Sequence, residues 1–170
     1  MIAARRARLS THAGYRSLLA RILIIAAAGY VFFTQLFLIT QVSGMDMFPA
    51  LKDGDLAIVF RMQQEYAKND VIAYSTTEGV RFGRIVARGN DVVFMDDSGT
   101  WQVNGTMQSG EILYPTYALE GIEYPFRVPE NCVFVLGDYR TKATDSRIYG
   151  PISLDDVEGK VITILRRRGL

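Results

Sequence analysis

Residues 42–51 read Val42-Ser43-Gly44-Met45-Asp46-Met47-Phe48-Pro49-Ala50-Leu51 and stand where the chain changes character. Before them, Ile22 to Thr40 reads ILIIAAAGYVFFTQLFLIT, 19 residues without a formal charge. At about 1.5 Å per residue, a helix of that length spans the ~30 Å hydrocarbon core of a bilayer. After them, apolar residues fall into short runs separated by Gly, Asn and Asp, the pattern of an antiparallel sheet protein. Asp46, the first carboxylate of the whole chain, lies inside this junction.

Charge is segregated along the 170 residues. Arg5, Arg6, Arg8, Arg16 and Arg21 precede the apolar segment with no acid among them; setting those five aside leaves 14 basic residues against 18 acids. Arginines on one flank hold that flank in the cytoplasm and send the remainder outside. The expected organisation is a basic cytoplasmic arm at 1–21, a transmembrane helix at 22–41, and one extracytoplasmic β domain at 42–170, in a single-pass cell-membrane protein with its N-terminus inside. A cleavable signal peptide is the first competing reading, although no Ala-x-Ala site follows, and a buried helix is the second. A net-acidic folded domain disfavours nucleic-acid binding.

The runs Leu56–Phe60, Val71–Ser75, Val80–Arg88, Val92–Met95, Thr100–Val103 and Cys132–Leu136 read as strands, with turns at Asp97-Ser98-Gly99 and Asn104-Gly105. Helix signals are confined to the apolar segment and a turn near Leu154–Val157. Residues 107–128, with Tyr114, Tyr117, Tyr124 and Phe126 among prolines, fold back on the sheet or form a partner surface. Arg166-Arg167-Arg168 is either a solvated terminus or a lipid-facing cluster. Cys132 is the only cysteine, which excludes an internal disulfide and a thiolate metal cluster. The only histidine, His12, lies in the basic arm, so imidazole-based triads are excluded from the β domain. No cofactor or metal is expected.

The run around Asp46 closely resembles the nucleophile box of type I signal peptidases of the Gram-positive branch. Further stretches resemble that family's other boxes in the same order: Asp53-Gly54-Asp55-Leu56-Ala57-Ile58-Val59, Lys68-Asn69-Asp70-Val71-Ile72, Val80-Arg81-Phe82-Gly83-Arg84-Ile85-Val86, and Gly137-Asp138-Tyr139-Arg140 with Asp145-Ser146-Arg147 and Gly150. The resemblance covers roughly residues 20–165 and implies a mainly β, signal-peptidase-type antiparallel sheet domain preceded by one N-terminal transmembrane helix. It also carries two departures. Asp46 stands where the family places its catalytic serine, and Gly83 where it places the general-base lysine. Ala50, Tyr139 and Ala143 replace the usual threonine, asparagine and serine.

In the family a lysine kept neutral by burial takes the serine proton. An aspartate cannot inherit that role, because carboxylate attack on an amide gives a mixed anhydride and the aspartic-protease route needs a second carboxylate. The resemblance therefore implies a catalytically silent protein whose peptide groove is lined by Ser43, Gly44, Met45, Asp46, Met47, Arg81, Phe82 and Gly83. Pro49, Gly137, Asp138, Arg140, Asp145, Ser146 and Arg147 would support it, with an Asp145–Arg147 ion pair as a brace. Strand alternation puts Arg81 on the face of Gly83, where it either pairs with Asp46 or leaves that carboxylate solvated, and Arg84 on the other face. Gly83 is expected to leave extra room in the groove floor.

Dyad-less relatives resemble accessory proteins of Gram-positive pilus systems, implying exported polypeptides such as pilin subunits or sortase as partners beside the lipid bilayer, and a chaperone or scaffold role. The alternative is an active signal-peptide endopeptidase using Asp46 with Asp145 or a water.

Overall fold

The structure, a computed structural model, describes residues 2–108 and 114–166, with side chains described from Tyr15 onward. It divides into two units, the chain up to Leu36 and the chain from Phe37 on. The first is a single helix, α1, Ile2–Leu36. Its stretch Tyr15–Leu36 is long and apolar enough to cross a membrane. The expected span to residue 41 is corrected at its outer end, because Phe37–Gln41 forms a strand, β1, not helix. Those five residues pair antiparallel with Leu56–Phe60 in unbroken register, Phe37 opposite Phe60 and Gln41 opposite Leu56. An all-round apolar run suits either state, and the neighbouring strand decides.

The second unit is built from β1, β2 (Leu56–Phe60), β3 (Val71–Thr76), β4 (Gly79–Arg88), β5 (Val92–Met95), β6 (Trp101–Val103), β7 (Thr106–Met107), β8 (Phe126–Arg127), β9 (Cys132–Leu136), β10 (Ile152–Ser153) and β11 (Val157–Leu165). Seven of these make one antiparallel sheet in the order β1-β2-β11-β3-β4-β9-β10, and four make a smaller one, β7-β6-β5-β8. The mainly antiparallel β reading stands, and all six expected strands are present within one residue of their ends.

The central strands are apolar almost throughout because both faces are covered. On β3, Ile72 and Tyr74 pack with Ile85, Val133, Val135 and Ile152 on one side, while Ala73 faces Val42, Met47, Leu51, Val59 and Phe82 on the other. On β9, Val133 and Val135 join the first of these groups, and Phe134 and Leu136 turn to a third built around Trp101, Val93 and Val128 on the small sheet. A bulge between Ile85 and Ala87 in β4 shifts the side-chain phase, so that Val86 and Ala87 both pack in that third group.

Six elements were not legible: β1, β7, β8, β10, β11 and a short helix, α2, Ser146–Tyr149. β11 carries two register breaks, one on each neighbouring strand, which erase its alternation. At the first, Gly159 has φ +149° and a Cβ there would lie 2.2 Å from the Phe60 carbonyl oxygen. β1 continues the uncharged run of the apolar span without a break in composition. The helix α2 begins at the cap residue Asp145. The turn expected near Leu154 is a short 3-10 helix, Leu154–Asp156. Most of the described part of 107–128 is folded back: Ala118 N–H donates to Asp96 O, Thr116 is 2% exposed, and the Gly121 backbone lies against the Arg147 and Ile148 carbonyls. Residues 109–113, Arg167 and Arg168 lie outside the described residues.

Candidate functional site

The junction segment is held by its own backbone before any side chain acts. Val42 N–H bonds Asp55 O at 2.8 Å, Gly54 N–H bonds Val42 O at 2.9 Å, and Gly44, at φ +85°, donates to Asp53 Oδ1 at 2.9 Å. A tight turn follows, closed by Leu51 N–H on Met47 O at 2.9 Å. Met47 and Leu51, four residues apart, both plunge into the core at 2% and 1% exposure. That anchoring turns Asp46, between the buried Val42 and Met47, toward β4.

Three groups meet the Asp46 carboxylate. Arg81 Nη1 lies 3.2 Å from its Oδ2, the Thr144 backbone nearby favours its ionised form, and Asp145 adds a repulsive charge. Burial outweighs the two favourable contacts and raises the carboxyl above its ordinary range. Arg81 is shared, its Nη2 reaching Glu78 Oε2 at 2.6 Å. Arg84, on the opposite face, forms a fork with Asp138 at 2.7 and 2.6 Å.

Gly83 does not open the floor, so the expectation of extra room is corrected. It is buried, and a Cβ there would lie 3.1 Å from Val135 Cβ and 3.3 Å from Tyr74 Cε1. The space beside it is filled by the Tyr74 ring, whose hydroxyl is hydrogen-bonded to that of Tyr149. Burial raises both phenols above their usual range, so they remain neutral. Neither tyrosine nor Glu78 was expected at the site. The two-residue Thr77-Glu78 turn fixes Tyr74 opposite Arg81, a register that could have been counted from the sequence.

Met47 and Phe82, expected in the groove, are instead core residues at 2% and 7% exposure, since each belongs to the cluster behind the sheet. Ser43, Gly44 and Met45 are exposed. One further feature lies here. β4 is paired with β3 from Gly79 to Arg84, but β9 joins its other edge only from Arg84 onward. Among the described residues no strand pairs with that edge over 79–83, and Arg81 projects from it to Asp46.

The supporting residues form a buried network. Gly137 must be glycine, because a Cβ would lie 2.3 Å from Ala143 Cβ and 2.5 Å from Asp46 O. Asp145 accepts from Gly137 N at 3.0 Å, Arg147 N at 3.1 Å, Arg147 Nε at 2.9 Å and Arg147 Nη2 at 2.9 Å. Ser146 Oγ accepts from Val135 N at 3.0 Å, and Arg147 Nη2 also reaches Arg140 O at 2.7 Å. Arg140 donates to Thr116 Oγ1 at 3.0 Å and lies over the Trp101 ring at 5.3 Å; burial pulls its pKa down to about 10. Tyr139 N–H holds Asp46 O at 2.9 Å, and its ring meets Tyr114 at 4.5 Å and Phe48 at 6.0 Å. Pro49 sits exposed in the turn. Among the described residues no group of three His, Cys, Asp or Glu could hold a metal ion.

The chain thus joins an apolar helix to an antiparallel β domain in which a loop carboxylate faces a strand edge that no described strand pairs. The sequence profile of the signal peptidase family, peptidase S26, matches residues 15–165, and this chain belongs to that family. It is 31% identical over 138 residues to the protein named "Probable thylakoidal processing peptidase 2, chloroplastic" of Arabidopsis thaliana, covering 72% of this chain and 36% of that one. It is 27% identical over 143 residues to signal peptidase I of Bacillus caldolyticus, covering 71% and 74% respectively. The chain thus spans little more than a third of the plant relative's length. A crystal structure of a signal peptidase I from Enterococcus faecalis aligns at TM-score 0.47 and 28% identity, over 59% of this chain and 98% of that one.

Proposed function

We propose that this protein is a catalytically silent member of its family, anchored in the membrane by α1, that binds exported polypeptides and serves as a chaperone or scaffold in sortase-dependent pilus polymerisation. The observation that carries the silent reading is the state of the two dyad-equivalent positions. Asp46 is a carboxylate engaged by Arg81, and Gly83 is packed under Tyr74 and Val135, so neither supplies a nucleophilic hydroxyl or a buried amine. Among the described residues the aspartic-protease route lacks a free partner carboxyl, because Asp145 is committed to Gly137 and Arg147 and Glu78 to Arg81. The free edge of β4 at 79–83 supports polypeptide binding, since an added strand would find unpaired main chain there.

The test is incubation of the full chain in detergent micelles with a signal-peptide substrate. No cleavage is expected. Reproducible cleavage that disappears in Asp46→Ala would establish the opposite reading, an endopeptidase with an Asp-containing site. For the partner, a photoreactive residue at the exposed Met45 is expected to capture a pilin or sortase in cells; capture of secreted precursors in general would replace pilus assembly with general signal-peptide handling.

A further inference from the structure

We infer that Arg81 is a latch across the strand-accepting slot: the slot is closed while Arg81 bridges to Asp46, and opens when the guanidinium withdraws onto Glu78. This deepens the polypeptide-binding reading and rests on it.

The geometry gives Arg81 two partners of unequal standing. One, Glu78, belongs to its own hairpin. That turn is fixed by Thr76 Oγ1, which donates to Gly79 O at 2.8 Å and accepts Glu78 N–H at 3.3 Å, and Arg81 Nη2 reaches Glu78 Oε2 at 2.6 Å. The other, Asp46, belongs to the segment facing β4 and lies 3.2 Å from Nη1. Only the second contact crosses from the unpaired edge of 79–83 to the opposite wall. A polypeptide adding as a strand along that edge needs the line the side chain now takes.

Withdrawal is inexpensive for two reasons. The bridge is the longer of the two contacts, and both its side chains are 30% exposed, so solvent and salt weaken it. Glu78, itself 72% exposed, stays within reach of the guanidinium after release, and solvent screens the rest of the charge, so no buried uncompensated cation is created. The floor does not move, because Tyr74 and Val135 already fill the space at Gly83. Asp46 also stays in place, its carbonyl held by Tyr139 N–H and its neighbour Met47 buried in the core. The moving part is therefore one side chain.

Two measurements on the full chain in neutral-detergent micelles test the latch. The first needs no ligand: amide hydrogen exchange over 43–47 and 79–83 in wild type, Arg81→Gln and Glu78→Gln. Exchange at both segments is expected to quicken in Arg81→Gln, and in wild type between about 20 mM and about 500 mM NaCl, with β9 unchanged. Identical exchange at 43–47 in Arg81→Gln and wild type overturns the latch whatever binds.

The second uses an end-capped, fluorescent, uncharged Ala/Val decapeptide as probe. Arg81→Gln is expected to bind it about threefold more tightly than wild type and to lose the salt dependence, the size of a partly exposed ion pair. Glu78→Gln, which removes the parking partner, is expected to bind more weakly. Equal or weaker binding by Arg81→Gln overturns the proposal. If no variant binds while the exchange differences appear, the latch stands and the strand-addition reading falls.

Discussion

Asp145→Ala should be among the most damaging single changes outside the apolar core. The carboxylate is 3% exposed and its partner Arg147 is 1% exposed. Removing one member of such a pair leaves a buried, uncompensated charge and costs about 3–5 kcal/mol. Gly137 N–H, 3.0 Å from Asp145 Oδ2, loses its acceptor as well, a further desolvation of about 1–3 kcal/mol that overlaps with the first. Against a domain stability of about 5–15 kcal/mol this removes a large share of the total. The double variant Asp145→Ala, Arg147→Met should recover part of the loss, because it removes both charges. Glu158→Ala breaks a pair with Arg61 that is 26% and 41% exposed and should cost under about 1 kcal/mol. The assay is equilibrium denaturation of the full chain in micelles followed by tryptophan fluorescence. Trp101 is the only tryptophan, 6% exposed, with Arg140 of the same network over its ring. An Asp145→Ala midpoint shift no larger than that of Glu158→Ala would refute the reasoning.

Gly83→Ala should destabilise by about 1–3 kcal/mol through overpacking against Val135 and Tyr74, read in the same denaturation; a neutral effect would mean that the floor is open. Tyr149→Phe leaves the hydroxyl of Tyr74, a residue 1% exposed, without its partner, and should cost about 1–3 kcal/mol, visible as a lower Tm. Asp46→Asn should change the pH profile in a defined direction. Burial raises the Asp46 carboxyl above 3.8, so the stability it contributes is full below that value and is lost as pH rises through its folded value. The variant cannot ionise and should gain on wild type as the pH climbs past 3.8, keeping the advantage near neutrality. A stability difference that stays flat from about pH 3 to about pH 7 would contradict this.

The apolar helix, six of the strands and the positions of Asp46, Gly83 and the Gly137–Arg147 boxes are legible in the order of residues alone. Each depends on local information: a long uncharged run, apolar residues bounded by turn formers, and a fixed order of short motifs. Arg81 was placed on the face of Gly83 by strand alternation alone, which is also local. Tertiary structure decided the rest. Phe37–Gln41 is a strand because β2 pairs with it, and β11 reads poorly because its bulges at Gly159 and after Val161 break the period on which strand recognition relies. Met47 and Phe82 belong to the core because the turn and the sheet bury them from both sides.

The floor beneath Gly83 shows the difference most plainly. A glycine in a sequence is compatible with a cavity or with a close approach, and the choice rests on atoms far along the chain. Here Tyr74 and Val135 supply those atoms, so the missing side chain is matched by packing instead of space. Likewise, whether a loop carboxylate is solvated or paired depends on a distance across two elements. The fold sets that distance at 3.2 Å and joins Asp46 to Arg81.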